Sequence, residues 1–198
     1  MDCGKSTLAL QMDHNHARRG RHGLLLTRHD RSGAPRITSR IGLGREAIEI
    51  TDATDLRDLV RDQWAGGQRV DYLICDEVQF YTVAQVEQLA GLVDSSDVDV
   101  YAFGLATDFR SVLFPAAQRL FELADDVQRL QVEVLCWCGR EGQLNARIAH
   151  GQLVREGAQV VVGDTVSDDV RYQVLCRRHY QAGDLGPAVP PAGQLELA

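Results

Sequence analysis

The chain opens with the stretch Met1-Asp2-Cys3-Gly4-Lys5-Ser6-Thr7, which contains the closing half of the phosphate-binding pattern G-x-x-x-x-G-K-[ST]. In that pattern the glycine allows a tight turn that points backbone N–H groups at phosphate oxygens. The lysine reaches the β- and γ-phosphates, and the hydroxyl holds Mg²⁺. Lys5 is also the single lysine of the chain. The stretch predicts an ATP and Mg²⁺ site at Gly4, Lys5, Ser6 and Thr7, although the tripeptide alone also suits a surface lysine at a helix start.

The first half of this pattern is absent from the sequence. Its opening glycine would lie two positions before Met1, and the strand that leads into such a loop would precede that glycine. We therefore expect an N-terminally truncated phosphate loop, with a weaker anchor in the sheet, poor stability and little activity.

A buried strand that ends in two acids is the second feature. Val70–Cys75 is apolar enough for an interior strand, and Asp76 and Glu77 follow it directly. A carboxylate at such a strand end can hold the Mg²⁺ that bridges the β- and γ-phosphates, and a second one can accept the proton of an attacking hydroxyl. This pattern predicts Asp76 as a metal ligand and Glu77 as a base. Simple solvation of a strand end is the alternative.

The pattern of apolar residues favours an α/β fold over the first two thirds of the chain. Strand-like and helix-like segments alternate there, which is typical of a P-loop-like, mainly parallel sheet with helices on both faces. We predict helices at 4–17, around Leu56, Leu59 and Val60, and at 83–93, and strands at 23–27, 47–50, 70–75 and 98–105. The kinase-like domain is expected to cover residues 1–130.

Short strand-like pieces and cysteines characterise the rest of the chain. Residues 132–135, 160–163 and 171–175 predict a small β-ribbon domain over residues 131–181. Residues 182–198 have little to bury and are expected to be a disordered tail.

Composition limits the functional classes. The formal net charge is −7 and no basic stripe occurs, which disfavours a nucleic-acid partner. No apolar run approaches the length of a membrane span, and the N-terminus has no export signal, so we expect a soluble cytoplasmic protein.

Cysteine spacing predicts a metal site. Cys136-Trp137-Cys138 and Cys176-Arg177-Arg178-His179 form two ligand pairs, which suits a closed, structural Cys₃His zinc site with the ligands Cys136, Cys138, Cys176 and His179. Four protein ligands leave no open position for a substrate. The alternatives are two buried thiols with an incidental histidine, or His150 as a ligand if Cys136 cannot reach.

Two segments together resemble the zinc-containing thymidine kinases. Asp76-Glu77-Val78-Gln79-Phe80 is similar to that family's D-E-x-Q-F signature, and Gly104-Leu105-Ala106-Thr107-Asp108-Phe109-Arg110 is similar to its G-L-x-x-D-F-R loop. The resemblance extends from Met1 to about Tyr180. It implies that Glu77 is the catalytic base, that Gln79 belongs to the ATP and Mg²⁺ site, and that the nucleoside pocket includes Phe80, Leu105, Phe109 and Arg110.

A third segment resembles the loop that closes over the base in this family. Val160-Val161-Val162-Gly163, followed by Tyr172 before Cys176, is similar to the V-x-x-G…Y-x-x-x-C-R lasso. The resemblance implies that Val162, Gly163 and Tyr172 contact the substrate. In this family an acidic-basic element, here Asp30-Arg31, and a segment similar to Ser39-Arg40-x-Gly42 also lie near the substrate, with solvated loop charges as the alternative.

The resemblance thus implies ATP-dependent phosphorylation of deoxythymidine at its 5′-hydroxyl to give dTMP. It also implies a homotetramer and feedback inhibition by dTTP. Two alternatives remain open from the residues: a P-loop ATPase whose zinc module binds nucleic acid, and a homologue impaired by its incomplete phosphate loop. The sequence does not decide whether deoxyuridine is accepted.

Overall fold

A parallel sheet and a smaller antiparallel sheet form the centres of two units. The computed structural model describes residues 3–28, 35–39, 42–130, 133–159 and 170–187. Contacts divide the chain into a sheet unit, Asp2–Thr107 with Leu113–Val132, and a cysteine unit, Asp108–Val112 with Glu133–Ala198. Residues 29–31, 40, 132 and 160–169, on which several sequence predictions fall, lie outside the described residues, as do residues 1–2 and 188–198.

The helices are α1 (Lys5–Ala17), α2 (Leu56–Ala65), α3 (Val83–Ser95), α4 (Pro115–Leu123) and α5 (Arg177–Ala182). The strands are β1 (Gly23–Thr27), β2 (Arg36–Thr38), β3 (Gly44–Glu46), β4 (Ile48–Glu49), β5 (Tyr72–Cys75), β6 (Asp99–Ala102), β7 (Leu144–Ala149), β8 (Gln152–Val154) and β9 (Val170–Leu175). A 3₁₀ turn spans Val78–Phe80.

The main sheet is parallel, with the order β4-β1-β5-β6. Successive residues of β5 alternate between its faces, as strand geometry requires. Leu73 and Cys75 pack into a core with α2, α3 and α4, whereas Tyr72 and Ile74 pack into another core with α1. The predicted parallel α/β fold with helices on both faces is therefore confirmed.

Two hydrogen bonds attach α1 to β5. Ser6, in the first turn of α1, donates to the carboxylate of Asp76, and Tyr72 donates to Asp13, two turns further along α1, over 2.8 Å. The aromatic ring of Tyr72 covers Gly23, its partner in β1. A β-carbon at Gly23 would lie 2.0 Å from a ring carbon of Tyr72, so a side chain at this position must displace the ring.

The cysteine unit contains an antiparallel sheet with the order β8-β7-β9. The prediction of a strand at 132–135 was wrong for residues 133–135, where only Leu135 forms a single bridge, with Glu141. An apolar run forms a strand only where a partner strand lies beside it. Helices α4 and α5 and strands β2, β3, β7 and β8 were not predicted. Across the described residues, no helix is both long and apolar enough to cross a bilayer.

We expect Gly23→Ala to lower the free energy of unfolding by about 1–3 kcal/mol, because the new methyl group must displace the packed ring of Tyr72. Urea unfolding followed by circular dichroism measures this change. Gly66→Ala is the matched control, since its β-carbon would approach other atoms no closer than 3.4 Å. Equal losses in both variants would contradict the proposed close packing.

Candidate active site and metal centre

The start of α1 has the geometry of an anion site. Gly4 precedes the helix with φ 76°, a left-handed conformation that glycine adopts without strain, and Lys5 is the first helical residue. Backbone N–H groups in the first turn of a helix have no partner within the helix, and with the helix dipole they favour an anion. Lys5, Ser6 and Thr7 lie in this turn and are half-buried.

The structure brings the first turn of α1 together with the acid after β5. The Ser6 hydroxyl donates to Asp76 Oδ2 over 2.9 Å, and the backbone N–H of Glu77 donates to Oδ1 over 2.9 Å. Burial and the neighbouring charge of Glu77 raise the pKa of Asp76, while the bond from Ser6 and the charge of Lys5 oppose the shift. A buried carboxylate of this kind gains from a nearby cation, and a carboxylate with a hydroxyl provides the hard oxygen ligands that Mg²⁺ takes.

Glu77 has a constrained conformation next to this pair. Its backbone is left-handed, with φ 53° and ψ 35°, which is uncommon for a residue other than glycine and occurs often at functional sites. The side-chain amide of Gln79 donates to Glu77 Oε2, and Gln79 Oε1 accepts the backbone N–H of Leu105 over 3.0 Å. Gln79 is 3% exposed, so this amide orients Glu77 from the interior. A β-carbon at Gly104 would lie 2.8 Å from Gln79 Oε1.

The remaining predicted substrate residues are distributed over both units. In the sheet unit, Phe80 packs edge-to-face on Phe114, with ring centroids 5.8 Å apart. In the cysteine unit, Phe109 is buried, Arg110 pairs with Asp108 at 2.6 Å, and Tyr172 is 44% exposed on β9. Val162 and Gly163 lie outside the described residues.

The four predicted metal ligands converge in the cysteine unit. Their ligand atoms, from Cys136, Cys138, Cys176 and His179, all lie within 4.8 Å of one another, and Cys136 Sγ is 3.3 Å from His179 Nδ1. Bond lengths of about 2.3 Å to sulfur and 2.0–2.1 Å to nitrogen place tetrahedral zinc ligands at such separations. The donor set and its spacing therefore fit zinc. His150 lies on the turn between β7 and β8, and this group does not include it.

The local backbone lets both cysteines of the segment Cys136-Trp137-Cys138 reach the cluster. The N–H of Cys136 donates to Arg140 O over 2.8 Å, and that of Gly139 donates to Cys136 O over 2.9 Å, which folds the segment into a tight loop. Gly139 permits this loop through its φ of 79°. The indole of Trp137, between the two cysteines, stacks on the imidazole of His179 with ring centroids 4.3 Å apart.

Comparisons with known proteins identify the family. A family model described as "Thymidine kinase" matches residues 1–180. The chain belongs to the thymidine kinase family. A thymidine kinase of Streptomyces coelicolor is 56% identical over 183 residues, which cover 91% of this chain and 85% of that protein. Those of Cutibacterium acnes and Ruegeria pomeroyi are 55% and 41% identical, over 94% of this chain and 87% and 93% of their own lengths.

These findings confirm the resemblance found from residues 76–80 and 104–110. Thymidine kinases are nucleoside kinases, so the predicted enzyme class is confirmed as well. The Cys₃His group fits the zinc-containing type of thymidine kinase. The individual site residues remain predictions, because a family match does not assign roles to single side chains.

Two buried arginines were not predicted from the sequence. Arg28, directly after β1, is 8% exposed and pairs with Asp52 over 2.6 Å, yet its Nε and Nη1 have no hydrogen-bond partner among the described residues. Arg147, in the middle of β7, is 6% exposed. For Arg28 the available signal was a charged residue directly after an apolar strand, whereas no local pattern indicated Arg147, because β7 was not predicted.

We expect Cys138→Ser and His179→Ala to reduce bound zinc from about one ion per chain to a small fraction, because three ligands do not close a tetrahedral site. The thermal unfolding midpoint should fall in both variants. Metal analysis by mass spectrometry and thermal melts measure these effects. Cys3→Ser is the control and should keep its zinc, since the cluster does not include Cys3. Full zinc content in Cys138→Ser would contradict the ligand assignment.

Proposed function

We propose that this protein transfers the γ-phosphoryl group of ATP to the 5′-hydroxyl of deoxythymidine, giving dTMP. One structural observation supports phosphoryl transfer as the reaction. The hydroxyl of Ser6 meets the carboxylate of Asp76 at the start of α1, with Glu77 directly beside them. Membership of the thymidine kinase family supports the choice of nucleoside.

The proposed binding of ATP follows from the first turn of α1. Lys5 and the free backbone N–H groups of this turn bind the β- and γ-phosphates, and Gly4 lets the backbone approach them. Ser6 and Asp76, which are joined by a hydrogen bond, would hold Mg²⁺. When bound, the ion neutralises charge on the phosphates as transfer proceeds.

Glu77 is the proposed base. Its carboxylate accepts the proton of the nucleoside 5′-hydroxyl as that oxygen attacks the γ-phosphorus in line with the leaving oxygen. The bond from Gln79 and the left-handed backbone fix the carboxylate before substrate binds. Such positioning supplies much of the catalysis in phosphoryl transfer.

Further features of the family belong to the proposal as well. They are a homotetrameric assembly, feedback inhibition by dTTP, a cytoplasmic location and substrate contacts from Phe80, Leu105, Phe109, Arg110, Val162, Gly163 and Tyr172. The support for each is membership of the family and the sequence segments that resemble it.

We expect Glu77→Gln to lower kcat for thymidine phosphorylation by about 100-fold or more, because the amide cannot accept the hydroxyl proton. The KM values for ATP and thymidine should change much less. A coupled assay of ADP release with the purified protein and Mg²⁺ measures kcat and both KM values.

Glu87→Gln is the matched control for this experiment. Glu87 is an exposed glutamate of α3 that pairs with Arg119 over 3.1 Å, so its loss should leave kcat unchanged. Full turnover in Glu77→Gln would show that Glu77 is not the base. ATP hydrolysis that ignores thymidine, together with salt-dependent DNA binding, would instead favour an ATPase with a nucleic-acid-binding zinc module.

A further inference from the structure

Arg147 is a buried cation at the centre of β7. It is 6% exposed and lies between Ala146 and Ile148, which are 0% and 1% exposed. Removing a guanidinium from water costs several kcal/mol unless its donors and its charge find partners. The partners of Arg147 therefore indicate why the fold retains a cation at this position.

The guanidinium of Arg147 makes contacts in three directions. Its Nε donates to the hydroxyl of Tyr172 over 2.9 Å, and its Nη1 donates to Ala158 O over 3.1 Å. Its Nη2 donates to Gln159 O over 3.4 Å. Its central carbon lies 3.7 Å from the centroid of the Phe109 ring. A planar guanidinium can donate in its plane and stack through its face at the same time, which an ammonium cannot.

The backbone places these partners around Arg147. Tyr172 is its directly opposite residue in β9, so the two side chains lie on the same face of the sheet. Phe109 is 2% exposed, and its carbonyl accepts the hydroxyl of Tyr180 over 2.6 Å. Gln159 also donates to the buried carboxylate of Asp108 over 3.1 Å. The side chain of Arg147 thereby joins segment 108–112 to β9, through Phe109 and Tyr172.

We propose that Arg147 is a positioning residue for nucleoside binding, which fixes the ring of Phe109 and the hydroxyl of Tyr172 before substrate arrives. The inference rests on the proposed function, in which Phe109 and Tyr172 contact the nucleoside. Tyr172 is 44% exposed and so remains accessible to a ligand, while its hydroxyl is held from the interior. The guanidinium of Arg147 donates from all three of its nitrogens to protein groups, so its donors are engaged in holding these residues.

The test compares Arg147→Met with Arg155→Met. Arg155 is a second arginine of the cysteine unit, which donates to Tyr180 O over 2.7 Å and lies 5.1 Å from the centroid of the Tyr180 ring. It therefore matches Arg147 in its type of contact but has a different aromatic partner. We expect Arg147→Met to raise the KM for thymidine by about 10- to 100-fold, because the side chains of Phe109 and Tyr172 must then be ordered when the substrate binds.

The other readouts separate positioning from general destabilisation. In Arg147→Met, the KM for ATP and the zinc content should stay near those of the unmodified protein, and in Arg155→Met the KM for thymidine should stay within about 3-fold. Combining Arg147→Met with Tyr172→Phe should give less than the product of the two single effects, because both variants break the same hydrogen bond. Arg147→Lys keeps the charge, so its KM for thymidine should lie between those of Arg147→Met and the unmodified protein. If Arg147→Met does not fold, Arg147→Lys serves as the test variant.

Three outcomes would overturn the inference. In the first, the unmodified protein phosphorylates thymidine but neither Arg147 variant changes the KM for thymidine, so only the role of Arg147 fails. In the second, the KM values for ATP and thymidine rise together with loss of zinc, which indicates a structural role alone. In the third, the unmodified protein does not phosphorylate thymidine, and the proposed function fails with it.

Discussion

Two hydrogen bonds between α1 and β5 determine the geometry of the candidate site. Ser6 is bonded to Asp76 and Asp13 to Tyr72, so the helix and the strand run in opposite directions and are joined near both ends. Seven helical residues span about 10 Å and four strand residues about 13 Å, so the two bonds can form together. Burial and the bond to Asp13 raise the pKa of Tyr72, which therefore stays protonated and able to donate.

The acidic end of β5 combines features that disfavour the folded chain but suit a cation-dependent reaction. Asp76 is a buried carboxylate next to another acid, and burial and this neighbour raise its pKa. Glu77 adopts a left-handed backbone that few residues other than glycine adopt, and Gln79 holds its side chain. Such features are tolerated where the surrounding structure enforces them. Here the constraint comes from strand β5, whose four residues are all buried and which leads directly into Asp76 and Glu77.

The parts of the fold with simple periodicity could be predicted from the sequence. Strands β1 and β5 and helix α3 bury mostly apolar residues, and local spacing shows this directly. The zinc ligands were also visible, because ligand types at close spacing suggest a metal without knowledge of the fold. The Streptomyces and Cutibacterium thymidine kinases support the family that two short segments had indicated.

Strand β7 shows why the rest could not be predicted. It buries Asn145 and Arg147 among apolar neighbours, so the usual alternation of polar and apolar residues is lost. The partners that make Arg147 acceptable there are Phe109, Ala158, Gln159 and Tyr172, which are up to 38 positions away in the sequence. Long-range contacts of this kind determine both that residues 144–149 form a strand and what Arg147 does there. No local sequence pattern predicts such contacts.

The stacking of Trp137 on His179 has a consequence for the metal site. The indole covers one face of the imidazole at a centroid distance of 4.3 Å and is nearly parallel to it, at 11°. It is fixed in turn by a hydrogen bond from its Nε1 to Asp184 O over 3.2 Å. The stack therefore limits rotation of the imidazole and keeps its Nδ1, 3.3 Å from Cys136 Sγ, directed at the other ligands, so an incoming ion meets a ligand that is already oriented.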